Sequence, residues 1–95
     1  MLYVLSLGTN LGNRKENLKM AENALNQIPN TKIISKSLIY ETQPIGYDEQ
    51  DNFYNEILLV KSDFEPNEML GVALGIEAAI GRIRNFKNGP RIIDI

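Results

Sequence analysis

The chain has 95 residues, 43% hydrophobic and 23% charged, with a formal net charge of -2. That is enough for one globular domain, and the composition is neither disordered, collagen-like nor membrane-spanning. With no cysteine and no histidine, disulfides, thiolate or imidazole metal sites and a serine-type triad are excluded, so carboxylates, amides, arginines and lysines must carry any chemistry.

Residues 1–7 (MLYVLSL) are β-rich and nearly continuous in apolar side chains, the pattern of an internal strand. The stretch is too short for a signal peptide and lacks its basic lead, and no run approaches a membrane span. The cytoplasm is the expected compartment. Residues 8–13 (GTNLGN) read as a loop, with Gly8 and Asn10 supplying turn chemistry. Asn13 followed by Glu16 has the form of a capping box. Leu18, Ala21, Leu25 and Ile28 then recur at helical spacing until Pro29 ends the pattern.

Residues 31–42 alternate imperfectly, with Ile34, Leu38 and Tyr40 on one side and Lys36 interrupting them, as an outer strand would. Residues 43–52 contain Pro44 and Gly46 and few apolar groups. The stretch is too long for a hairpin turn, and loops of this length often carry function. A third strand is expected over residues 53–61. Pro66 opens a second helix with Met69, Val72, Ala73, Ile76 and Ile80 as its buried stripe, and Gly81 is its stop. Residues 92–95 begin a fourth strand.

The order β-α-β-β-α-β predicts an α+β, ferredoxin-like fold: an antiparallel sheet with two helices on one face, its last strand cut short. Residues 1–95 form a single domain in this reading. Because the last strand completes one edge of the sheet, the chain is expected to be truncated at its C-terminal end, as the front portion of a longer domain.

Residues 80–95 (IGRIRNFKNGPRIIDI) hold Arg82, Arg84, Lys87 and Arg91 before any anion, and then Asp94. Guanidinium forks suit bidentate contact with phosphate oxygens, Lys87 would act as a point charge, and a carboxylate can hold Mg²⁺ beside them. The same run also reads as a solvated basic loop, and spacing by itself does not separate the two. Phe53 and Asn55 are two apart on one strand face, so an aromatic ring and a hydrogen-bonding amide lie side by side next to the long loop. Taken alone, Phe53 also reads as ordinary core packing. Glu77 shares a helix stripe with Leu70 and Leu74, and an ion pair with Arg82 or Arg84 is its structural alternative.

The motifs GTNLGNR at residues 8–14, YETQPIG at 40–46, FYN at 53–55 and GRIRNFKNGPRIIDI at 81–95 resemble those of 6-hydroxymethyl-7,8-dihydropterin pyrophosphokinase, in that family's order and over the whole chain. The resemblance implies an ATP-dependent diphosphotransferase, which moves the β,γ-pyrophosphoryl group of ATP to the hydroxymethyl group of a reduced pterin in folate biosynthesis. It implies Arg82, Arg91 and Asp94 as catalytic residues, and Glu77, Arg82, Arg84, Lys87 and Arg91 as ATP contacts. Thr42, Ile45, Phe53 and Asn55 would form the pterin pocket. Asp94 would be one of two carboxylates that bind a pair of Mg²⁺ ions, the second falling at position 96. Leu74 and Asn88 stand where the family commonly has glutamine and tryptophan.

ATP and the reduced pterin are thus the expected partners, together with other folate-pathway enzymes, and neither nucleic acid nor membrane. Two other readings stay open. One is an inactive fragment lacking the second carboxylate. The other is a ferredoxin-like small-ligand-binding module, since this fold also serves sensors and RNA readers. The acidic balance and the single aromatic of the first strand argue against RNA.

Overall fold

The computed structural model of the chain describes residues 1–46 and 49–81. In chain order its elements are β1 (Leu2–Thr9), α1 (Arg14–Asn26), β2 (Thr31–Lys36), β3 (Tyr40–Thr42), β4 (Phe53–Ser62) and α2 (Pro66–Ile80). β4 is the spine of an antiparallel sheet. It pairs with β1 along one edge, and with β2 and β3 end to end along the other. The strand expected at residues 92–95 lies outside the described residues, as do Arg82, Arg84, Lys87, Arg91 and Asp94. The α+β, ferredoxin-like arrangement holds: an antiparallel sheet and two helices.

The core follows from alternation. On β4, Glu56, Leu58, Val60 and Ser62 are buried, while the odd-numbered positions between them are half-buried or exposed. Leu58 and Val60 meet Leu7 of β1, Leu18, Ala21 and Leu25 of α1 and Ile76 of α2 in one apolar cluster, so the period-2 and period-3.6 stripes face each other. Among the described residues the opposite face of the sheet is open, and Val4 on it is 71% exposed.

The helix signals act as expected. Asn13 Oδ1 accepts the Glu16 backbone N–H at 3.1 Å, which satisfies one of the first-turn donors of α1. Pro66 starts α2, where its missing N–H costs nothing. Gly81 ends α2 in the left-handed conformation at φ 96°, which a residue with a side chain adopts only with strain.

Three expectations are corrected. β1 runs on through Gly8 and Thr9, so Gly8 is a strand residue and not part of a loop. The single outer strand expected over residues 31–42 is two. A register shift between Ile33 and Ser35 moves the pairing by one residue, and β2 and β3 are separated at residues 37–39. Ile33, paired with buried Val60 ahead of that shift, packs on the core, whereas Ile34 and Leu38 are exposed. Lys36 is turned toward α1 and pairs with Glu22 at 2.9 Å. Finally, Ile28 lies beyond the end of α1, which is capped at Gln27.

Candidate functional site

Thr42, Phe53 and Asn55 come together on the open face of the sheet, at the end where β4 begins. Pairing places Gly8 directly opposite Asn55 on one side, with Tyr40 opposite Asn55 and Thr42 opposite Phe53 on the other. Asn55 Nδ2 donates to Thr42 Oγ1 at 2.8 Å and to the Tyr40 carbonyl at 3.1 Å. A carbonyl only accepts, so the Tyr40 contact settles which end of the amide is nitrogen. Asn55 Oδ1 is left facing β1, available to accept a hydrogen bond from a ligand.

Gly8 is the feature that sequence reasoning misjudged. A Cβ built there would lie 3.3 Å from Asn55 Oδ1 and 3.4 Å from Phe53 Cδ1. Its φ is not in the left-handed region, so space, not backbone freedom, is what this position supplies. The missing side chain leaves a flat floor beside the Phe53 ring and the Asn55 amide, the shape a planar heterocycle requires.

The remaining candidates are distributed otherwise. Ile45 is 84% exposed on the loop rather than packed against Phe53. Glu77 is only 5% exposed in the helix layer, where it shares the buried side of α2 with Met69, Ala73 and Ile76. Leu70 and Leu74, which spacing grouped with it, are exposed. Arg82, Arg84, Lys87, Arg91 and Asp94 lie outside the described residues. Among the described residues no group of three or more acidic side chains is placed to hold a metal ion.

Contacts that the sequence did not announce tie the long loop to the first turn. Asn10 Nδ2 donates to Gln50 Oε1 at 2.7 Å and to the Asp51 carbonyl at 3.1 Å. Arg14 donates to the Asn52 carbonyl at 2.9 Å, with its guanidinium 4.0 Å from the centre of the Tyr54 ring. On the helix side of β4, Glu56 is 2% exposed and its Oε1 has no partner among the described residues. Burial, reinforced by a hydrogen bond with Glu22 and by that group's charge, pushes Glu56 up to about 7 against the pull of Lys36. Glu56 also lines a cleft of about 500 Å³ with Lys15, Lys36, Tyr40 and Tyr54. That cleft is separate from the Phe53–Asn55 face.

Comparison with known proteins follows the same residues. The model of the 7,8-dihydro-6-hydroxymethylpterin-pyrophosphokinase (HPPK) family matches residues 4–95. The chain belongs to the HPPK family. It is 38% identical over 91 residues to the 2-amino-4-hydroxy-6-hydroxymethyldihydropteridine pyrophosphokinase of Methylorubrum extorquens, covering 96% of this chain and 58% of that protein. To the protein of the same name from Bacillus subtilis it is 36% identical, covering 96% of this chain and 54% of the relative. It is 40% identical over 94 residues to the folic acid synthesis protein FOL1 of Dictyostelium discoideum, covering 99% of this chain and 14% of that protein. The chain thus spans somewhat more than half the length of the bacterial HPPK relatives it matches. No helix among the described residues is long and apolar enough to cross a membrane.

Proposed function

We propose that this chain carries the pterin pocket and part of the ATP site of an enzyme that transfers pyrophosphate from ATP to 6-hydroxymethyl-7,8-dihydropterin, a step of folate biosynthesis in the cytoplasm. The observation that carries the reading is the close approach of the Phe53 ring and the Asn55 amide to Gly8 on the open sheet face, in a chain of the HPPK family. The pterin ring would lie against Phe53 with an N–H directed at Asn55 Oδ1. Thr42 holds the amide from the other side, and the backbone around Ile45 would close the rim.

In the reaction the hydroxymethyl oxygen attacks the β-phosphorus as the bond from that phosphorus to the oxygen bridging to the α-phosphate breaks, and AMP departs. Negative charge builds on the β-phosphoryl oxygens and on the leaving α-phosphate, so fixed cations around both would speed transfer. Arg82 and Arg91 are assigned to those phosphates, with Arg84 and Lys87 as further cations and Glu77 toward the nucleoside. Asp94 is assigned to Mg²⁺, two ions being expected in the complete site, and the metal would supply charge neutralisation across the phosphates. The assignments of Arg82, Arg84, Lys87, Arg91 and Asp94 rest on the family motif GRIRNFKNGPRIIDI, and that of Glu77 on the resemblance to the family as a whole. Other folate-pathway enzymes are proposed as partners on the same basis.

The test is direct binding of 6-hydroxymethyl-7,8-dihydropterin to the unaltered chain and to Asn55→Ala, followed by turnover with ATP. Loss of the acceptor should weaken pterin binding about 10-fold to 100-fold, roughly 1.4–2.8 kcal/mol. Equal affinity in the two proteins would remove Asn55 from the pocket. Failure of the unaltered chain to bind the pterin at all would overturn the reading. In Arg91→Ala, turnover should fall far more than pterin affinity, and an unchanged rate would take Arg91 out of the phosphate site.

A further inference from the structure

The last residues before β4 have little apolar contact to hold them. Glu49 and Asp51 are exposed, Gln50 and Asn52 half-buried. Polar ties take the place of packing, and they come from one short stretch around the first turn. Asn10, 1% exposed, reaches Gln50 and Asp51, while Arg14 at the start of α1 reaches Asn52 and covers the ring of Tyr54. The turn that carries these residues is itself braced. Asn17 Nδ2, from the first turns of α1, donates to Thr9 Oγ1 at 3.0 Å and to the Leu11 carbonyl at 2.8 Å. Gln50, Asp51 and Asn52 are therefore held in succession, and the next residue is Phe53.

We propose that Asn10 and Arg14 are positioning residues for the ligand site: by clamping residues 50–52 they fix the backbone that presents Phe53 and Asn55. Neither side chain touches the ligand. The proposal rests on the pterin-binding reading above, but the clamp has a signature of its own. Were the clamp lost, residues 50–52 would sample many conformations, only a fraction f of them competent to bind. The apparent dissociation constant then rises as 1/f, with the intrinsic contacts unchanged. Arg14 contributes through shape as well as charge, because a planar guanidinium both donates to the Asn52 carbonyl and stacks on Tyr54, which an ammonium does not reproduce.

The experiment uses Asn10→Ala, Arg14→Gln and Arg14→Lys in the chain. Three quantities are read: the dissociation constant for 6-hydroxymethyl-7,8-dihydropterin, that for a non-hydrolysable ATP analogue, and amide hydrogen exchange across residues 50–55. Asn10→Ala and Arg14→Gln should each accelerate exchange at residues 51–53 and raise the pterin constant about tenfold, corresponding to f near 0.1. The nucleotide constant should stay within about twofold, a split that general destabilisation would not produce. Arg14→Lys should recover only part of the loss. Unchanged exchange in both Asn10→Ala and Arg14→Gln would overturn the clamp, and faster exchange with unaltered pterin affinity would overturn its bearing on the site. If the unaltered chain binds no pterin, the functional reading fails and the positioning role falls with it, while the exchange data still report whether the clamp exists. Should Asn10→Ala fail to fold, the two Arg14 variants carry the same comparison from the other end of the clamp.

Discussion

At the level of single residues, the site depends on what is absent at one position and on which way an amide points at another. Asn55 has its nitrogen committed to Tyr40 and Thr42, which leaves its oxygen as the end of the amide that the proposed pocket would use. The side-by-side placement of Phe53 and Asn55 was visible in the sequence because strand side chains repeat every two residues. The orientation of the amide was not, since it is imposed by a carbonyl on another strand. Gly8 is the sharper case. Its Cβ position faces Asn55 and Phe53 across the β1–β4 pair, and nothing within seven or eight residues of Gly8 could reveal that neighbour. Gly8→Ala should therefore leave the fold intact and weaken pterin binding by about 1–3 kcal/mol, the usual cost of crowding a packed contact. Titration of the variant with the pterin, alongside a thermal melt, checks both halves of the statement.

Among the elements, those with strong local signals were read correctly and those shaped by their neighbours were not. Asn13, Pro66 and Gly81 mark helix ends through local bonds and φ preferences, so a few residues suffice to place them. Replacing Asn13 by Ala should cost about 1 kcal/mol. For a domain of this size that is a fall in Tm of roughly 4–8 °C, measurable by calorimetry. The outer strand was legible as a strand but not as two. Its irregularity at residues 33–35 comes from pairing with β4, and the resulting turn of Lys36 toward Glu22 follows from that shift. Ile33, and not Ile34, joins the core because it pairs with buried Val60 ahead of the slip. The one-residue slip then exchanges the faces of the residues that follow, which brings Lys36 opposite buried Leu58.

Across the whole molecule, the buried Glu56 couples stability to pH. Its pKa is raised from 4.5 to about 7 by burial and by Glu22, with Lys36 opposing. A carboxyl raised on folding contributes stability that is fully present below its unfolded value near 4.5. That contribution is lost progressively as pH climbs from there to about 7, because over that range the unfolded chain has released the proton while the folded state still holds it. Urea unfolding should show a midpoint that falls between about pH 4.5 and about pH 7 and levels off above it. Glu56→Gln, neutral throughout, should flatten that dependence, and an equally steep profile in the variant would assign it to other groups.

Most element types and helix ends, together with the family motifs, are legible in the chain without its fold. Periodicity, caps and the ordered motifs are properties of near neighbours in the chain, and each is readable within a few residues. Folding sets what the chain does not show: that Gly8 lies against Asn55 and Phe53, that the Asn55 nitrogen is taken by Tyr40, that Asn10 and Arg14 bond the loop, and that Glu56 sits buried beside Glu22. Each of these is a contact between segments from about a dozen to nearly fifty positions apart, formed when β4 takes its place between β1 and the β2–β3 edge. Side-chain roles of that kind are set by strand register and by the exclusion of water, neither of which a local pattern contains.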